Sequence, residues 1–255
     1  MRQQGAEYLC NSGIIWEFLS TLSKKKWLNS KTQYFISEEE IMDSKITSKE
    51  LMSEIYSVDD EKYLRYDQTV PWISSLSKKT NQAKVIKRYE LGEVFRRGPR
   101  KGRRFRNFTQ LDLEICDKEK YNTVELIHEV SELFKTLGKN IILKYNDYSL
   151  FNGLSFEEKQ NIDSYYSKNK PIDMKIIDRF QSIKKDKIKA IPLLESSFKT
   201  IFSPELMRGQ GIYKDIVFEA YVQNERASLF AGGEYKINNY YCSGLSIGID
   251  FFNTL

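Results

Sequence analysis

Between Arg104 and Cys116 the chain reads RFRNFTQLDLEIC, and its side chains alternate in character. Arg104, Arg106, Gln110, Asp112 and Glu114 fall on one side, and Phe105, Leu111, Leu113 and Ile115 on the other, with Phe108 the exception. Successive Cβ atoms of an extended chain point to opposite faces, so this alternation specifies a strand with one face to bury. The preceding segment, KVIKRYELGEVFRR, is also extended, and Gly98-Pro99 and Gly102 mark a turn between the two. Residues 84 to 116 therefore read as a long antiparallel hairpin with an apolar face and a polar face. A solvated face and a binding face would share this pattern.

The connecting loop holds seven Arg or Lys between Arg96 and Arg106. The whole chain carries only +5, from 40 basic and 35 acidic residues, so affinity for polyanions has to come from this local cluster. At 255 residues the chain can bury a sizeable core as one large domain or a domain with an insertion. It has one histidine, His128, and three widely spaced cysteines, Cys10, Cys116 and Cys242. That inventory argues against a zinc site, a Ser/His triad and a disulfide framework. Trp16-Glu17 interrupt the apolar stretch GIIWEFL, and no apolar run approaches about 18 residues, so the expectation is a soluble protein with no membrane partner. Its expected location is cytoplasmic, or an organelle matrix or stroma.

Elsewhere, GIIWEFLSTLSKKK has helical spacing and ends in lysines suited to a helix C-terminus. KYLRYDQTVP alternates, which predicts an extended segment with Arg65, Asp67 and Thr69 on one side, ended by Pro71. TVELIHEVSELFKTLG predicts an amphipathic helix closed by Gly138, with His128 at its surface or core edge, followed by a strand NIILKYN. Residues 155 to 203 are lysine-rich with helical period and predict a small helical insertion. RGQGIYKDIVFEAYV, ASLFAGGEYKI and SGLSIGIDFF then predict short strands separated by glycine-containing turns. The layout is α+β with an antiparallel sheet.

Four blocks, in order, resemble the catalytic domain of class II aminoacyl-tRNA synthetases, and within it the histidyl-tRNA synthetase family and its paralogues. LRYDQTVP is similar to that family's Leu-Arg-Pro-(Glu/Asp)-x-Thr block, and KRYELGEVFRRGPRKGRRFRNFTQLDLEI to its motif 2. RGQGIYKDIVFEAYV resembles the histidine-specific block, and AGGEY with SGLSIGID the Gly-Gly-x-Tyr strand and the start of motif 3. The resemblance implies a class II synthetase-like antiparallel sheet flanked by helices. Residues 1–154 and 204–255 would form the catalytic domain, 155–203 a reduced helical insertion, and no anticodon-binding domain would follow.

The implied activity is formation of histidyl-adenylate from histidine and ATP, ATP entering as its Mg²⁺ complex, and transfer of histidine to tRNA by a homodimer. Joining a carboxylate to a phosphate brings two anions together, which calls for fixed cations on a rigid sheet. By resemblance Arg96 and Arg208 are those catalytic cations. Arg96, Arg104 and Arg106 would bind the phosphates of ATP or RNA, and Asp67, Thr69 and Gln110 the histidine ammonium. Glu114 and Tyr213 would read the imidazole; no metal-ligand set is implied. The chain departs from the family at Phe251, where the motif 3 arginine is usual, and at Glu234, where arginine also is usual. Three readings stand side by side: a reduced histidine–tRNA ligase core, a histidine-sensing regulatory subunit partnering an ATP phosphoribosyltransferase catalytic subunit, and a non-catalytic RNA-binding relative.

Overall fold

A computed structural model of the chain describes residues 2–43, 49–78, 83–97, 106–155, 157–159, 161–162, 198–203, 206–207, 211–223, 225 and 227–255. The expected hairpin is the centre of an eight-stranded sheet. Strands β4 (Val85–Phe95) and β5 (Asn107–Asp117) pair antiparallel without a bulge from Val85↔Asp117 to Phe95↔Asn107. The other strands are β1 (Leu28–Asn29), β6 (Ile141–Asp147), β7 (Lys199–Phe202), β8 (Tyr213–Val222), β9 (Ser228–Ile237) and β10 (Tyr240–Gly248). Their order is β1-β4-β5-β10-β9-β8-β6-β7, with parallel pairing only at the two edges, β1 with β4 and β6 with β7. A small second sheet pairs β2 (Phe35–Ser37) with β3 (Lys62–Leu64).

Two helices cover the apolar face: α1 (Arg2–Lys24) and α5 (Thr123–Lys135). Ile15, Phe18, Leu19 and Leu22 of α1 and Leu126, Ile127, Val130 and Phe134 of α5 share one cluster with Leu111, Leu113, Ile115, Leu245 and Ile247 of the sheet. Phe134 stacks on Phe230 at 5.1 Å and 12°. A fully buried Leu, Ile or Phe contributes about 1.5–3 kcal/mol, so this layer is the main source of stability. The helices α2 (Glu38–Asp43) and α3 (Lys49–Glu54) lie between β2 and β3 in the chain.

Three expectations are corrected. The segment KYLRYDQTVP is a strand only over Lys62–Leu64; from Thr69 it is helix α4 (Thr69–Ser77), with Pro71 inside the first turn. Proline has no N–H to lose there and its fixed φ suits the helix, so Pro71 helps to start an element and does not end one. Asp67 assists by accepting the Val70 N–H at 2.9 Å. Residues 199–202, read as the end of the helical insertion, form edge strand β7. The core of that proposed insertion, 163–197, lies outside the described residues. Finally, Cys116 and Cys242 sit directly opposite on β5 and β10 and are joined in a disulfide across 126 residues. Sequence distance concealed them, because only the β5–β10 register brings them together.

Among the described residues no helix is long and apolar enough to cross a membrane. A short helix α6 (Ile249–Phe252) follows β10.

Candidate active site

Strand register assembles the polar face in rows. Arg88, Glu114, Gly244 and Gly233 stand side by side across β4, β5, β10 and β9. Glu90, Asp112, Ser246 and Ala231 form the next row, and Gly92, Gln110 and Gly248 a third. Charged side chains from β4 and β5 thus border small residues from β10 and β9, which makes a trough. Gly233 is sterically required, because a Cβ there would lie 2.6 Å from Tyr213 Cδ1 and 2.7 Å from the Ile216 carbonyl oxygen, and Gly244 is closely packed, a Cβ there coming within 3.2 and 3.3 Å of Tyr235 Cε1 and Glu114 Cγ.

Four buried charges run along the β4 side. Arg65 Nη1 donates to Glu90 Oε1 at 2.7 Å, Arg88 Nη1 to Glu90 Oε2 at 3.0 Å, and Arg88 Nη2 to Glu114 Oε1 at 3.1 Å. Each of these side chains is about 1% exposed. Arg65 also donates to the Glu93 and Thr32 carbonyls and the Thr32 hydroxyl, and Arg88 lies 4.5 Å over the Trp72 ring. The alternation of sign gives each of these four charges an opposite neighbour, the condition under which buried ions are tolerated.

Glu114 ends this ladder. Its Oε1 accepts from Arg88 and, at 3.2 Å, from the Thr69 hydroxyl, while its Oε2 accepts from the Tyr235 hydroxyl. Burial raises the Glu114 carboxyl above its ordinary value, against the pull of Arg88 and the Tyr235 hydroxyl. Burial and the adjacent Glu114 carboxylate push the Tyr235 phenol well up, so it stays a donor. A carboxylate offers about four acceptor directions; three are used, and one on Oε2 is left for a single incoming N–H.

The trough gathers most of the expected site residues that the structure describes. Asp67 is buried beside Arg96, its carboxyl raised by burial and drawn back by the Val70 N–H and by Arg96. Arg96 donates through Nε to the Tyr66 carbonyl at 3.0 Å and lies 5.3 Å over Phe108, which explains why an aromatic interrupts the polar face there. Gln110 is buried on the same face, and Tyr213 meets Tyr235 edge-on at 6.5 Å. Thr69 lies beside Glu114. Arg106 is exposed at the mouth of the hairpin, where its carbonyl accepts the Arg96 N–H. Arg104 and Arg208 lie outside the described residues.

Residues 17–233 match the family model described as tRNA synthetases class II core domain (F). The chain belongs to that family. A histidine–tRNA ligase of Bacillus cereus is 28% identical over 270 aligned positions, covering 80% of this chain and 63% of the ligase. The chain therefore spans under two thirds of that relative's length. Among solved structures, an ATP phosphoribosyltransferase regulatory subunit/histidyl-tRNA synthetase from Bacillus halodurans superposes with a TM-score of 0.73 at 17% identity, covering 96% of this chain and 79% of that one. A histidyl-tRNA synthetase from a Nostoc species gives 0.65 at 17% identity, covering 96% and 70%. At that identity the likeness is one of fold, and the fold is the expected class II synthetase-like sheet flanked by helices.

Within this class II core, sequence reasoning passed over Arg65, Arg88, Glu90 and Tyr235. The signal for Arg88 and Glu90 was present, since they alternate on β4 as Asp112 and Glu114 do on β5. What was missing was the register that sets Arg88 opposite Glu114. The two departures from the family pattern also find places. Glu234 is buried and accepts from the Thr123 hydroxyl and, at 3.1 Å, from the Ile216 N–H, tying the start of α5 to β8 and β9. Phe251, half-buried on α6, packs against the main hydrophobic cluster.

Proposed function

We propose that the trough binds histidine and that the chain is the core of a histidine–tRNA ligase. The observation that supports this most strongly is Glu114: a buried carboxylate fixed by three donors, with one acceptor direction left beside Tyr235 and Tyr213. An imidazole has one N–H to give and one nitrogen to accept, so a fixed acceptor with the Tyr213 phenol as the remaining donor suits it, the Tyr235 proton being given to Glu114. Histidine's carboxylate oxygen would then attack the α-phosphorus of ATP, forming a P–O bond and releasing pyrophosphate. Arg96 and Arg208 are the cations assigned to the charge at that phosphorus, and Arg104 and Arg106 to the remaining phosphates or the tRNA end. ATP would enter as its Mg²⁺ complex, as a substrate. Homodimerisation, the helical insertion and a cytoplasmic setting belong to the same reading.

The test is histidine-dependent exchange of pyrophosphate into ATP. The expected result is exchange that needs histidine and is lost in Arg208→Ala and Arg96→Ala. A second reading, histidine sensing as a regulatory partner of ATP phosphoribosyltransferase, is favoured by Phe251, an apolar residue packed on the core where the family it resembles carries a phosphate-binding arginine. Histidine binding without exchange would select it.

A further inference from the structure

Arg88 places a fixed cation at the edge of the trough. Its Nη1 donates to Glu90 Oε2 and to the Ser30 hydroxyl, each at 3.0 Å, and its Nη2 to Glu114 Oε1 at 3.1 Å and to the Gln68 carbonyl at 3.5 Å. The Trp72 ring lies 4.5 Å from the guanidinium. Held all round, the group does not swing aside, and at about 1% exposure its charge is little screened by bulk water.

The proposed ligand ring meets the same carboxylate. An imidazole N–H on Glu114 Oε2 and the guanidinium on Oε1 each make a hydrogen bond of about 3 Å to one carboxylate group, so they stand within about 6 Å of each other. At that separation a second positive charge is disfavoured, the more so away from water. The negative charge that could offset it is already matched: Glu114 and Glu90 are bound by Arg88 and Arg65, and Asp67 lies beside Arg96. Burial pushes the Asp112 carboxyl, two residues along β5, well above its ordinary value despite the pull of Arg88. The remaining titratable groups there are the Tyr235 and Tyr213 phenols, which offer hydroxyls.

We propose that Arg88 is a further specificity-determining residue: by matching the charge of Glu114 it sets the trough to take an uncharged N–H donor, so that histidine binds with a neutral imidazole and the imidazolium is turned away. The proposal rests on the reading of the trough as a histidine site. The hydrogen-bonding groups agree with it. A neutral ring gives its N–H to Glu114 and accepts from the Tyr213 hydroxyl, whereas an imidazolium has two donors and no acceptor.

The test is calorimetric titration of the full chain with histidine and with 3-(1,2,4-triazol-3-yl)alanine, a histidine analogue whose ring stays uncharged in mild acid. The ratio of the two affinities cancels any effect of acid on the trough itself. In the wild type the ratio of histidine to triazole affinity is expected to fall about tenfold between about pH 7.5 and about pH 5.5, following the fraction of imidazole that is uncharged. Arg88→Met is expected to abolish that fall, and Arg88→Lys, which keeps the charge, to retain it. A wild-type ratio that stays level or rises in acid overturns the proposal and leaves the histidine site standing. A fall that persists in Arg88→Met, or disappears in Arg88→Lys, overturns the assignment to Arg88. The wild type and Arg88→Lys decide the matter if Arg88→Met does not fold. Failure of the wild type to bind either compound overturns the histidine site and the proposal with it.

Discussion

Arg88 Nη2 lies 3.1 Å from Glu114 Oε1, with both side chains about 1% exposed. Removing one member of such a pair leaves the other charge buried alone, which costs about 3–5 kcal/mol. Arg88 also serves Glu90, so Arg88→Met is expected at the upper end of that range in urea denaturation. Arg88→Lys retains the charge but as a compact point charge in place of a planar fork, and is expected to recover only part of the loss. A loss below about 1 kcal/mol for Arg88→Met would mean that the ladder is not a continuous network.

Burial raises the carboxyl pKa of Asp67, Asp112 and Glu114, and that of Asp112 the furthest. A carboxyl held above its unfolded value binds a proton in the folded state that the unfolded chain has already released. Stability from that group is therefore present below about pH 4 and is lost as pH rises toward the folded pKa. Asp112→Asn removes the effect at its largest source. The variant is expected to match the wild type near pH 4 and to exceed its stability at pH 8 by about 1–3 kcal/mol, the cost of an unmatched buried polar group. Parallel stability curves for the two proteins would contradict this.

Glu234 replaces an arginine that is usual in the family this chain resembles, so Glu234→Arg could look like a repair. The structure argues otherwise, because the carboxylate is buried and receives the Ile216 N–H and the Thr123 hydroxyl. A guanidinium there has only donors to offer to donors. Glu234→Arg is expected to destabilise by more than about 3 kcal/mol, read as a lower urea midpoint, and to bring no gain in nucleotide binding.

The Cys116–Cys242 bond closes a loop of 126 residues through the middle of the sheet. Differential alkylation of the unfolded chain checks it: one label, on Cys10, without reductant, and three after reduction. Loops of this size correspond to about 4–5 kcal/mol on chain-entropy grounds, so reduction is expected to lower the urea midpoint. Three labels before reduction would contradict the bond.

How much of this was legible beforehand depended on range. The alternation from Gln110 to Ile115 fixed a strand, its two faces and its pairing with β4, because period and turn residues are local. The amphipathic pattern of α5 and its glycine stop at Gly138, which has φ of +60°, were readable for the same reason. The start of α4 was misread because Arg65, Asp67 and Thr69 alternate by chance of a turn, while a proline inside a first helical turn resembles a terminator. Tyr235 reaching Glu114, and Cys116 meeting Cys242, required the β5–β10–β9 register, which no local pattern encodes. Asp112 was visible on the polar face, but its complete burial is a property of the packed neighbours alone.

Glu114 is the residue assigned to read an imidazole, and titration of histidine into the wild type and Glu114→Gln tests this most directly. Gln keeps the shape but removes the anion and turns one acceptor into a donor facing Arg88, Thr69 or Tyr235. The predicted result is saturable histidine binding by the wild type, weakened by about tenfold to a hundredfold in Glu114→Gln, the scale of a hydrogen bond to a charged group. Equal affinity in the two proteins, or no histidine binding by the wild type, would contradict it.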